Sequence, residues 1–255
     1  MDELFTPQMT IERYASRQGI KVAEIGVAPT VVISWGRDVI QSVAEAISAT
    51  PCEHWPYGER QPLFTGQIGP NQVSLVHLPV GAPGTVMFME ELIACGAHTF
   101  LGLGWAGSLQ RRAPVGTLLI PTACLREEGT SPQYFPDEVV LAPDSGLVGL
   151  LETAANSMGV QTLKGPLWTT DAPYRETRTK ILAYRAKGVL GVDMETSAMY
   201  ALGLYRRVRV CNLLVVSDEL WDEWRVAFGT NELREATQVA QQVVVRCLGG
   251  DEPTP

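Results

Sequence analysis

The acidic residues of two short segments stand where a strand gives way to a helix or a turn, and such junctions are where α/β proteins do chemistry. In Gly191-Val192-Asp193-Met194-Glu195-Thr196-Ser197-Ala198-Met199 a strand-like run passes into a helical one, so its carboxylates lie at a helix's positive end. Helix capping would account for one of them. Glu195, however, shares a helical stripe with Ala198, Met199 and Leu202, a face expected to be buried. A carboxylate there needs partners, and ligand hydroxyls suit it because an ionised carboxylate accepts several hydrogen bonds. Ser217-Asp218 closes the apolar run Val208–Val216. Ligands of open α/β sheets lie beyond strand carboxyl ends, and a partly buried Asp218 there suits a proton donor; a turn or N-cap aspartate is the plainer alternative.

Two other segments carry weaker signals. Gly102-x-Gly104-x-x-Gly107 matches the dinucleotide fingerprint, but Pro114 and Gly116 follow too soon for the helix that the fingerprint requires. Gly104 and Gly107 would still let backbone amides approach a ligand, with Trp105 as a flat apolar surface; a tight turn with a buried Trp is the alternative. Trp168-Thr169-Thr170-Asp171-Ala172-Pro173-Tyr174-Arg175-Glu176-Thr177 reads as a strand end and a helix start with Pro in the first turn. Its aromatic residues and hydroxyls also make it a wall for a flat, polar-edged ligand.

The elements that must position these residues follow from periodicity. Strands are predicted at Thr30–Ser34, Thr99–Leu103, Thr117–Ile120, Val189–Val192 and Val208–Val216. Phe64–Ile68 and Val73–Leu78 form a hairpin across Gly69-Pro70-Asn71. Helices are expected over Asp38–Ile47, Thr85–Cys95, Asp144–Met158 with Asp144 as N-cap, Glu195–Tyr205 and Asn231–Leu248. A further helix, Pro173–Lys187, would be capped by Asp171 or Thr170 and ended by Gly188. Arg126–Glu138 is the one weakly structured stretch. Helices between strands imply an α/β fold: a single-domain three-layer α/β/α sandwich with a mixed, largely parallel central sheet. Residues 29–250 form that domain, preceded by an extension at 1–28 with a short helix carrying Ile11, Tyr14 and Ala15, and followed by a tail at 251–255.

Composition narrows the function. The 255 residues carry 20 basic and 28 acidic side chains, a net charge of −8, which argues against nucleic acid or an anionic membrane as partner. The stretch Gln61–Met89 lacks charge but is interrupted by Gly66, Gly69, Pro70, Pro79, Gly81, Pro83 and Gly84, so it is no membrane span. No basic-then-apolar leader opens the chain. Five scattered cysteines without a CxxC pair, and His54, His77 and His98 without ligand spacing, point to a metal-free cytoplasmic protein with reduced thiols.

In this order the segments resemble the nucleoside phosphorylase family, which includes purine nucleoside phosphorylase and uridine phosphorylase and shares its fold with the methylthioadenosine and adenosylhomocysteine nucleosidases. The resemblance runs from Pro83-Gly84 through Glu90-Glu91-Leu92-Ile93-x-x-Gly96-Ala97, Gly104–Gly107 and GVDMETSAMYALG to VVSD and the last helix. It implies cleavage of a nucleoside's N-glycosidic bond by phosphate, without a cofactor. By position, Met194 and Glu195 would hold the ribose, with Asp193 beside them. Asp218, next to Ser217, would protonate a purine ring nitrogen. Trp168, Thr170 and Tyr174 would line the base, beside Gly104 and Trp105. Homo-oligomers, dimers or hexamers, are implied as well.

The phosphate site departs from the family. Its Gly-Asp-Pro-x-Arg loop reads Ser34-Trp35-Gly36-Arg37-Asp38 here, a second arginine falls at Gly102 and a serine at Trp105. Gly36 and Arg37, at a helix start, remain the candidates for phosphate, with Arg111 or Arg112 nearby. Asp38 is the candidate for activating water in a hydrolytic relative. A nucleoside-binding protein of the same fold without turnover is a third alternative.

Overall fold

A computed structural model of the chain describes residues 4–250; the tail expected at 251–255 lies outside them. Strand β1 (Thr30–Ser34) shows how the layers arise. Its period-two alternation sends Val32 to one face and Val31 and Ile33 to the other, into two separate apolar cores. Helices α2 (Arg37–Ala46), α4 (Ser145–Ser157) and α7 (Asn231–Gly249) pack over the first core. Helices α1 (Pro7–Gln18), α3 (Ala82–Ala94) and α6 (Thr196–Arg206) pack over the second. The helix expected in the N-terminal extension is α1, and it buries Ile11 and Ala15.

Between the helices lies one mixed sheet with the order β10-β9-β6-β7-β8-β5-β1-β4-β3-β2. Its remaining strands are β2 (Thr50–Pro51), β3 (Leu63–Ile68), β4 (Asn71–His77), β5 (Thr99–Ser108), β6 (Leu118–Glu127), β7 (Thr162–Thr170), β8 (Gly191–Asp193), β9 (Arg209–Glu219) and β10 (Arg225–Val226). The central pairs β1–β4, β1–β5, β5–β9, β6–β7 and β7–β8 are parallel. Strand β5 also pairs with β9, so β5, β9, β6, β7 and β8 close on themselves. Ala106, Leu119, Leu167, Leu214 and Val216 supply a small apolar core from four of these strands.

Several expected boundaries move, each for a local reason. Strand β5 does not stop at Leu103: Gly104–Gly107 is strand, not a turn, with a register shift between Ala106 and Gly107 where it reaches β8 and β9. The helix expected over Pro173–Lys187 is broken. A 3-10 turn covers Pro173–Arg175, Glu176 leaves helical geometry at φ −72 and ψ 72, and α5 (Arg178–Ala186) begins after Thr177. Thr177, not Asp171 or Thr170, is its N-cap, accepting from the Lys180 amide. Strand β7 was not foreseen beyond its end, because Gly165 and Pro166 interrupt its pattern. The stretch Arg126–Glu138 is held by the Arg126 guanidinium, which donates to Ser131 Oγ and the carbonyls of Phe135 and Pro136.

Candidate active site

Beyond the carboxyl end of β9 opens a cavity of about 820 Å³. Glu195 and Asp218 both line it, together with Asp193, Met194, Ser217, Trp105, Gly107 and Tyr174 from the expected set. Ring closure brings them together: Gly107 of β5 pairs with Val192 of β8 on one side and with Asp218 of β9 on the other. The two acids are therefore hung from one strand. Gly107 leaves room for both neighbours, since a Cβ there would lie 3.3 Å from Val192 and 3.4 Å from Asp218.

Glu195 is 5% exposed and stands at the N-cap of α6. Its Oε1 accepts from the Gly81 amide at 2.6 Å, and Gly81 takes φ 105, a conformation that favours glycine. Its Oε2 accepts from the Met194 amide. Burial first, and the nearby charge of Asp193 second, push the Glu195 carboxyl above the usual glutamate range. Asp193, two residues earlier, has its oxygens occupied from within the protein. Thr169 Oγ1 donates to one oxygen at 2.8 Å, and the amide and hydroxyl of Thr196 donate to the other. It holds β7 to the start of α6.

Asp218 is half-buried. Ser217 Oγ donates to its Oδ1 at 2.7 Å and Trp224 Nε1 to its Oδ2 at 2.9 Å. Trp224, Asp222, Trp221 and Leu220, which follow β9, form one side of the cavity. Arg111 bonds the Asp222 carboxylate, Arg178 its carbonyl and Arg185 that of Trp221. None of these post-strand residues carries a periodic signal, so the sequence did not single them out. Glu176 also lines the cavity; it stood inside the Trp168–Thr177 segment, but the helix expected there concealed the bend that presents it.

Other expected residues lie elsewhere. Trp168 is fully buried, edge-on to Tyr184 and absent from the cavity wall, because β7 turns its side chain into the ring's outer core. Thr170 is likewise buried, its hydroxyl accepting from the Ala172 amide. Gly104 does not line the cavity. A Cβ there would lie 2.6 Å from the Trp35 ring, so its role is to seat that indole. Gly36 does the same for Trp105, whose ring a Cβ would approach to 2.4 Å. Trp35 and Trp105 thus cross over one another's glycine, with Nε1 atoms bonded to Thr85 and Thr237, and both indoles line the cavity.

The candidate phosphate groups are outside that wall. Arg37 is exposed and donates to the Arg60 carbonyl at 2.9 Å, while Gly36 caps α2. Asp38 and Arg112 are exposed, and Arg111 pairs with Asp222 at 2.6 Å. Among the described residues lining the cavity there are five carboxyl side chains and one cation, Arg178. No group of three or more metal-ligating side chains occurs among the described residues, and none of their helices is long and apolar enough to cross a membrane.

Comparison with known proteins agrees with this architecture. The family model described as the phosphorylase superfamily matches residues 31–249, reaching well upstream of the Pro83 at which the sequence resemblance begins. A uridine phosphorylase of Treponema pallidum is 32% identical over 206 residues, 74% of this chain and 79% of the relative. A guanosine phosphorylase of Halorubrum lacusprofundi is 30% identical over 55% of this chain and 58% of its own. In structure, the purine nucleoside phosphorylase of Toxoplasma gondii superposes with a TM-score of 0.81 at 21% identity, over 89% of this chain and 92% of that one. The uridine phosphorylase of Vibrio fischeri gives 0.77 at 22% identity, over 88% and 93%.

Proposed function

Because the chain belongs to the phosphorylase superfamily, we propose that this enzyme cleaves the N-glycosidic bond of a nucleoside by phosphate attack, releasing base and ribose 1-phosphate. The observation that carries the reading is the convergence of Glu195 and Asp218 on one cavity. Cleavage of a ribose–base bond places positive charge on the sugar and negative charge on the departing base. Glu195, anchored by the Gly81 and Met194 amides, still has lone pairs for the sugar hydroxyls and offers negative charge to the developing cation. Met194 beside it packs on the sugar. Asp218 faces the base, and an acid there neutralises the leaving group.

A purine is the favoured base, since an acid facing the heterocycle suits protonation of a purine ring nitrogen. Relatives named for uridine and for guanosine make the choice of base the first thing to measure. Phosphate would be drawn to the N-terminus of α2, at Gly36 and Arg37, which adjoin the cavity through Trp35 and where helix-end amides favour an anion. No cofactor is required. The exposed apolar side chains around the mouth, Val80, Tyr174, Leu182, Trp224 and Phe228, suit a homo-oligomer in which a second copy covers the rim. The compartment we assign is the cytoplasm.

One observation favours a second reading, hydrolysis by water. The cavity wall carries five carboxyls and a single cation, and the indoles of Trp35 and Trp105 stand in the segments where the resemblance puts phosphate ligands. Purified protein with inosine, adenosine, guanosine and uridine, with and without phosphate, decides between them. Base release that needs phosphate and yields sugar phosphate is expected. Free ribose at the same rate without phosphate would establish hydrolysis, and binding without base release would leave a nucleoside-binding protein.

A further inference from the structure

We propose that Glu176 is a second catalytic acid of this cavity, a proton carrier for the leaving base that works alongside Asp218. This role presupposes the glycosidic cleavage proposed above and supplies the source of its proton. The bend between the Pro173–Arg175 turn and α5 puts Glu176 on the cavity wall. There its carboxyl makes no hydrogen bond or ion pair with any described residue, although Arg175 and Arg178 stand within two positions of it in sequence. Arg175 is exposed, and Arg178 is turned to the Asp222 carbonyl at 3.2 Å.

Asp218 contrasts with it. Ser217 and Trp224 each donate a hydrogen to it, whereas among the described residues nothing donates to Glu176. Both oxygens of Glu176 are therefore free to hold a proton and pass it on. Burial, and then the charge of Asp218, push Glu176 up to about 7, so near neutrality it interconverts between acid and base, as a proton carrier must. The other charged groups of the cavity are Arg178 on α5, Asp222 after β9, and Asp193 and Glu195 at the β8–α6 junction. Among them, none displaces Asp218 as the charge that acts on Glu176.

The step balances without further reagents. The C1′–N bond breaks, its electron pair leaves into the base ring, and a second ring nitrogen of the base takes the Glu176 proton. A phosphate oxygen forms the new bond to C1′. The proton that phosphate gives up on esterification returns through solvent to the Glu176 carboxylate.

The test is Glu176→Gln, which keeps size and removes the titration, with its melting curve as the control for folding. On an ordinary nucleoside we expect kcat to fall about tenfold or more, and the alkaline limb of the kcat–pH profile near neutrality to vanish. On 7-methylguanosine, whose base departs neutral without a proton, the variant should keep wild-type rates; Glu176→Asp should restore part of the loss on ordinary substrates. An unchanged rate and pH profile, or an equal loss on both substrates, would overturn the role. If the wild type does not cleave 7-methylguanosine, the pH profile alone decides. Wild-type protein that releases base from no nucleoside would instead overturn the underlying reading, an outcome visible before any variant is made.

Discussion

Asp193 and Glu195 are two residues apart, both buried, yet they belong to different regions of the molecule. Asp193 touches the cavity wall, but its oxygens belong to a polar seam beneath it, where hydroxyls of Thr169 and Thr196 and an amide close around it. The seam continues through Ser197, which donates to Glu128, itself bonded by the amides of Thr130 and Ser131. Glu195 and Asp218, at the cavity wall, accept two hydrogen bonds each and so keep accepting capacity in hand, and Glu176 has no hydrogen-bond partner among the described residues. Saturation by the protein's own donors makes a carboxylate structural; an incomplete set leaves capacity for a ligand.

The contrast can be broken by substitution. Asp193→Ala would orphan two threonine hydroxyls and an amide in the interior, and we expect a loss of about 3 kcal/mol in urea unfolding. Glu195→Gln should lower kcat/KM about a hundredfold, roughly 2.7 kcal/mol of transition-state stabilisation, with a smaller loss of stability than Asp193→Ala. If Glu195→Gln proved the more destabilising of the two, the distinction between seam and wall would fall. Asp218→Asn should lower purine turnover about tenfold or more; equal rates in mutant and wild type would remove Asp218 from the mechanism.

The smallest effect sharpens the comparison through pH. Glu176 rises from the ordinary glutamate value of 4.5 to about 7 in the fold. Between those values the folded state holds a proton that the unfolded chain has released, so Glu176's contribution to stability is complete below 4.5 and is lost as pH rises through 7. The melting temperature of Glu176→Gln relative to wild type should therefore climb across that window, by a few degrees at most because Glu176 is partly solvated. A constant difference across the window would show that Glu176 does not titrate there.

Much of this arrangement was legible in the residues, for identifiable reasons. Strand β1 and helices α4 and α7 follow from alternation and capping, and Asp144 accepts from the Leu147 amide as an N-cap should. The burial of Glu195 followed from its apolar stripe. Trp168 misled because an indole reads equally well as wall or core, and only the pairing of β7 between β6 and β8 decides which. Gly104 misled in the same way: a small residue signals a close approach without saying by what, and here the Trp35 indole fills the space beside it. The segment after β9 was silent because side-chain-to-carbonyl contacts from Arg178 and Arg185 leave no periodicity.

Ring closure has a consequence for motion. Strand β5 is bonded along one edge to β1 and then β8, and along the other to β9, so its central amides should be the last in the chain to exchange with heavy water. Pulling the strand ends that carry the two acids apart would have to break pairing along β5. Any adjustment to a ligand then falls to the rim, to the arginine-clasped strip Leu220–Trp224 and the fully exposed Tyr174.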